Sequence, residues 1–249
     1  MMRQFLAPLF ISLMIITGCG DDSTDIELNI RLTYGDDPVV MFDEIAYPDG
    51  TRMRITDVKG FFSSISILSD NTETLVEEVA FVEIGDKHSD AEEAAVGYSL
   101  ILEETGLTDI DGIRFNIGLT ESQNSTVPVD YTSSSVLSKS SEYWPNWESY
   151  VFFKIEGNAD FNGNGSYDSG ENIVLHLGSN DALRLVTLDT QGEDGTIRLN
   201  LDLRKVFEFG DGLYDLEAMP TIHATLTDAV LANINLLSDN VSNAFSVAE

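Results

Sequence analysis

Between Asp160 and Glu171 the chain reads DFNGNGSYDSGE, and its oxygen-bearing side chains fall at the spacing of a calcium loop. Asp160, Asn162 and Asn164 supply oxygens at positions 1, 3 and 5 of such a loop, and Gly165 allows the sharp turn at position 6. Ser166 offers its backbone carbonyl, Asp168 follows at position 9, and Glu171 can close the site with both carboxylate oxygens at position 12. Calcium is a hard cation that takes six to eight oxygens, and this run provides them without any enzyme around it. The competing reading is a surface turn, since Asp, Asn and Gly tolerate positive φ and are common in hairpin connections.

Other chemistry is sparse. The chain has three histidines, His88, His176 and His223, and a single cysteine, Cys19. No G-x-S-x-G elbow, H-E-x-x-H zinc motif or phosphate-cradling glycine loop occurs, so the sequence reads as a binding protein and not an enzyme. Close carboxylates such as Asp109 with Asp111, or Glu103 with Glu104, lie in acidic turns and read as solvated surface. His176 sits in the apolar run Val174 to Gly178, and His223 precedes a helical segment. Two neutral imidazoles brought together by the fold could hold a borderline metal such as copper, whereas each taken alone is more simply satisfied by a backbone carbonyl. His88, between Lys87 and Ser89, reads as exposed. Both tryptophans, Trp144 and Trp147, fall in the aromatic cluster Tyr143 to Tyr150, which reads first as core packing.

Residues 1–18 read as an export signal, with Arg3 ahead of an apolar stretch from Phe5 to Ile16 too short to span a bilayer. The stretch ends Ile16-Thr17-Gly18-Cys19, similar to a bacterial lipobox, which makes Cys19 the expected lipidation site and residues 19–25 a polar tether. A lone cysteine leaves no intramolecular disulfide. The expected location is therefore the bacterial cell envelope, with the chain held to a membrane by its N-terminal lipid and facing the periplasm or the outer surface. Asp and Glu number 43 against 13 Lys and Arg, a formal net charge of −30, which repels nucleic acid and anionic headgroups.

The elements that must position these residues are mostly strands. Ile26 to Tyr34, Gly60 to Leu68, Val79 to Ile84, Ile113 to Leu119, Tyr150 to Gly157, Ile173 to Leu177, Leu183 to Leu188 and Ile197 to Leu203 run apolar or alternate, separated by Gly, Asp, Asn and Ser clusters. In the first and last of these, every second residue is apolar, so one face is buried. The spacing predicts an all-β, antiparallel sandwich forming one domain over residues 26–249. Two helices are expected, a short one at Asp90 to Val96 and a C-terminal one capped by Thr227, with Val230, Leu231, Ile234 and Leu237 on one face. The flanks of the 160–171 loop are strand-like, so it reads as a calcium clasp between two strands and not as an EF-hand.

The run from Tyr143-Trp144 into Val151-Phe152-Phe153-Lys154-Ile155-Glu156-Gly157 resembles the tryptophan-rich strand of the MbnP-like family, extracytoplasmic β-sandwich proteins associated with methanobactin and copper handling. Leu28 to Leu32, Gly60 to Ile67, Phe115 to Leu119, His176-Leu177-Gly178 and Asn240 to Phe245 follow that family's order. The resemblance implies a periplasmic or surface copper-binding protein, with His176 and His223 as the positions that keep the metal-site pattern. It also implies a partner dihaem enzyme that in some members oxidises a tryptophan to kynurenine, here Trp144. Three positions depart from it. Ser140 and Ser141 stand where a histidine is expected, Trp147 falls one place late, and Ser149 replaces a glycine. A rival reading is a surface adhesion module in which exposed aromatics grip a glycan or protein on a calcium-stiffened scaffold.

Overall fold

The computed structural model describes residues 25–103, 105–107, 109–190, 195–210, 212–223 and 225–248. Cys19 and the expected signal and tether up to residue 24 lie outside the described residues, as does Glu104. The principal strands are β1 (Ile26–Tyr34), β2 (Arg52–Ser69), β3 (Thr72–Val82), β4 (Tyr98–Leu102), β5 (Gly112–Ile117) and β6 (Ser149–Ala159). They continue with β7 (Asn172–Gly178), β8 (Arg184–Asp189), β9 (Thr196–Asp202), β10 (Thr221–Ile222) and β11 (Phe245–Val247).

Two sheets form the sandwich. The smaller sheet, of five strands among the described residues, runs β11-β9-β1, with β4 and the two-residue strand Asp37–Pro38 also paired to β1. The larger, of nine among the described residues, runs β8-β5-β2-β6-β7-β10, with β3 and the short strand Ile45–Ala46 also paired to β2 and Tyr143–Trp144 paired to β6. The alternation read in β1 and β9 places them side by side: Leu28 pairs with Ile197, Ile30 with Leu199 and Leu32 with Leu201, all shut from solvent. These two strands run parallel, as do β7 and β10, so the sheets are mixed and not purely antiparallel. Alternation fixes which face of a strand is buried, not which neighbour it takes or in which direction. The sheets meet at an aromatic knot, where Phe62 of β2 stacks on Phe115 of β5 at 5.0 Å and Phe245 of β11 packs edge-on to both.

The β6 strand is buried on both faces along most of its length, which is why it reads as a nearly continuous apolar run. Residues of one face, including Phe153 and Ile155, join the core. The other face is covered by the segment from Glu121 to Trp147. Asn124 Oδ1 there accepts hydrogen bonds from the Tyr150 amide (2.9 Å) and the Ser149 hydroxyl (3.0 Å), and the Tyr150 hydroxyl donates to the Leu137 carbonyl at 2.6 Å. Gly118 lies beneath this cover with φ of 104°, and a Cβ there would fall 2.2 Å from the Phe152 ring.

Both expected helices form. Asp90 caps Ala91–Val96 by accepting from the Glu92 and Glu93 amides. Thr227 caps Asp228–Asn243, which buries Val230, Ile234, Leu237 and Val241, while Leu231 is half-buried. His88 is a correction. It is fully buried, its Nδ1 lies 2.7 Å from the Val39 carbonyl, and its Nε2 accepts from the Leu32 amide at 3.3 Å. Its charged neighbours point to water while the ring turns inward to satisfy two backbone groups that would otherwise be buried unpaired.

Candidate metal centre

The hairpin of β6 and β7 fixes the register of the site. His176 lies directly opposite Lys154, and Glu156 is two residues further along the same face of β6. On the other side of β7, Val174 pairs with Thr221 and Leu175 with Ile222, which brings His223, just past β10, beside His176. The bridge of Tyr143 to Tyr150 and Trp144 to Ser149 folds the covering segment back on β6 and sets the Trp144 indole against His223. Ring centroids are 4.0 Å apart for Trp144 and His223, 4.7 Å for His176 and His223, and 6.4 Å for Trp144 and Trp147. The three residues singled out from the sequence therefore converge, although 79 positions separate Trp144 from His223.

Charged side chains surround the rings. Lys154, itself buried, pairs with buried Glu142 at 2.7 Å and donates to the Ser141 carbonyl at 3.3 Å, pinning the covering segment to the sheet. His176 Nε2 lies 2.6 Å from Glu156 Oε1. Burial, reinforced by the neighbouring His176 and Lys154, pushes the His223 imidazole below its ordinary value, which favours the neutral ring. The hydrogen bond from His176 holds the Glu156 carboxyl below the usual carboxylate range against the opposing effect of burial. Two polar atoms in the cluster are buried without a hydrogen-bond partner, His176 Nδ1 and the Trp144 indole nitrogen. Two imidazoles can serve as a donor set for copper or another borderline cation, and metal ligation takes each in its neutral form.

Sequence reasoning found the two histidines and Trp144 but missed Glu156 and the Glu142–Lys154 pair. The hairpin length held the signal for Glu156. Closing the strands symmetrically about the 160–171 loop puts residue 154 opposite 176 and a carboxylate one step away. The aromatics of 143–150 do not form an exposed platform: Trp147 and Tyr150 are buried, and Tyr143 and Trp144 are half-buried.

The 160–171 loop connects β6 to β7, as its flanks imply, and turns its carboxylates inward. Asp160 accepts from the Asn164 and Gly165 amides, both at 3.0 Å. Glu171 accepts from the Asn162 amide at 3.1 Å and the Asp168 amide at 2.8 Å. Asn164 Oδ1 takes the Ser166 amide at 2.8 Å, and Asp168 receives the Asn162 and Asn164 side-chain amides. Arg52 also pairs with Asp160 at 3.0 Å. Burial would raise the Asp160 carboxyl, but the Arg52 hydrogen bond and the two backbone amides bring it below its ordinary range. Hydrogen bonds from Asn164, Asn162 and Ser166 do the same for Asp168. Among the described residues no three or more of His, Cys, Asp and Glu stand together as a metal cage. The histidine pair thus offers two protein donors, and the loop depends on amide and carbonyl oxygens beside its carboxylates.

Fold and site together define a mostly-β sandwich protein that carries a partly buried histidine–tryptophan cluster on the outer face of its larger sheet. The chain belongs to the MbnP family, whose model matches residues 23–224. That span takes in Trp144, His176 and His223 and stops short of the Asn240–Phe245 stretch. The fold is similar to that of MbnP from Methylosinus trichosporium, with a TM-score of 0.54 at 12% identity, covering 77% of this chain and 80% of that one. No curated protein matches the chain.

Proposed function

We propose that this protein binds copper outside the cytoplasm at the His176–His223 pair, with Trp144 packed against it, and holds the metal for a redox partner. One observation carries the reading. In native folds a buried polar atom nearly always has a partner, and here two orphans, His176 Nδ1 and the Trp144 indole nitrogen, belong to one three-ring cluster. An imidazole lone pair left unpaired is a ligand in waiting. An indole N–H donates only, so Trp144 as encoded lies beside the metal and does not bind it. Oxidation of Trp144 to kynurenine by a partner dihaem enzyme, with dioxygen or two peroxides opening the indole and hydrolysis releasing its Cδ1 as formate, would leave a ketone and an aromatic amine, both capable of ligation. The chain's own work is to bind and shield, not to catalyse. Lipid attachment at Cys19 would keep it in the cell envelope, and calcium in the 160–171 loop would hold the two strands of the site in register.

Copper titration against a competing chelator tests the reading. The wild type should take up one copper per chain, and His176→Ala and His223→Ala should each weaken binding at least tenfold. Equal uptake by wild type and the double variant would sink it. Mass spectrometry of Trp144 in protein from its native envelope tests the oxidation separately.

A further inference from the structure

His176 engages a carboxylate through one ring nitrogen and nothing through the other. Nε2 lies 2.6 Å from Glu156 Oε1, while Nδ1 is closed off from solvent and has no hydrogen-bond partner. An ionised carboxylate only accepts hydrogen bonds, so the nitrogen facing it must carry the proton. In the neutral imidazole the lone pair then rests on Nδ1. The contact is built into the hairpin: strand register puts Lys154 directly across from His176 and Glu156 on the adjacent diagonal, where a long side chain reaches the ring. Lys154 has a carboxylate of its own in Glu142, which leaves Glu156 to the histidine.

We propose that Glu156 is the positioning residue of this site: it holds His176 as the Nε2–H tautomer and so makes Nδ1 the atom that takes the metal. The identity of the metal rests on the copper reading above; the tautomer does not. Carboxylates behind a ligating histidine fix its ring orientation and raise its basicity, and their loss typically lowers metal affinity about 10–100-fold.

The test is long-range proton–nitrogen NMR on the full chain in detergent, with nitrogen-15 in its imidazoles, at about pH 8 where free imidazole is neutral. Before metal, His176 should show a protonated Nε2 and a bare Nδ1. On addition of copper(I), the Nδ1 resonance should move while the Nε2–H correlation persists. Glu156→Ala should give a mixture of tautomers and the affinity loss above with an unchanged circular dichroism spectrum. Glu156→Gln, which keeps an oxygen acceptor, should recover most of both. A protonated Nδ1 in the wild type, loss of the Nε2–H on metal binding, or a Glu156→Ala variant with wild-type tautomer and affinity would overturn the proposal. If no imidazole resonance responds to copper(I), the copper reading and the ligand role of Nδ1 both fall, while the metal-free spectrum decides the tautomer independently.

Discussion

His88 and His176 are both buried imidazoles, and they differ in what their second nitrogen meets. The Nδ1–H of His88 donates to the Val39 carbonyl and its Nε2 accepts from the Leu32 amide, so the neutral ring is fully satisfied. Protonating Nε2 would set two donors face to face at a ring shut from solvent. Burial accordingly lowers the His88 value below that of a free imidazole. A histidine lowered on folding stabilises the protein above its unfolded value, about 6.5, and loses that contribution as pH falls through the folded value. We therefore expect the melting temperature to drop between pH 7 and pH 5. The loss attributable to His88 is on the order of 1–3 kcal/mol, the cost of a buried unpaired donor. His88→Gln should melt lower at pH 7 but with a shallower pH dependence. Parallel pH curves for wild type and His88→Gln would refute this role.

At the scale of elements, the β6–β7 hairpin is the unit that makes the site, because its loop sets the register that brings Lys154, Glu156 and His176 together. Calcium bound by the loop's inward carboxylates would bind only the folded hairpin, and a ligand at about 100 times its dissociation constant adds about 2.7 kcal/mol of stability. The melting temperature should therefore rise between chelator and millimolar calcium. Glu171→Gln, which removes the charge at the closing position, should abolish most of the rise. Coincident melts with and without calcium would remove calcium from the account of this protein. Much of this element was legible in the sequence. The β-branched flanks announced strands, and the loop spacing marked the connection. The histidine pair was brought to notice by family resemblance more than by spacing, since nothing in the residues around His223 says that β10 lies parallel to β7. Glu156 and Lys154 were missed for a related reason: in a strand buried on both faces, a charged residue declares itself only once its cross-strand partner is known, and only closing the hairpin symmetrically about the 160–171 loop supplies that partner. His88 was misread because its immediate neighbours are polar, and burial depends on what the rest of the fold leaves unsatisfied.

At the scale of the molecule, the site sits in a chain of net charge −30. Such a charge has two effects with opposite dependence on salt. It destabilises the compact state by self-repulsion, and it concentrates cations near the surface, raising their association rate by about 10-fold or more. At 0.1 M salt the screening length is about 10 Å, so both effects are already partly muted there and are strongest at low ionic strength. Raising sodium chloride from about 0.01 M to 0.5 M, with chelator present so that calcium plays no part, should increase the melting temperature. Over the same range, stopped-flow association of copper with the wild type should slow, while dissociation from the histidine pair should change less, because His176 is buried and His223 half-buried, where salt screens weakly. A single cause is then read in two directions. If neither stability nor association changed with salt, the acidic surface would be inert toward both folding and metal capture, and the His176–His223 pair would have to acquire its cation by direct transfer from a bound partner.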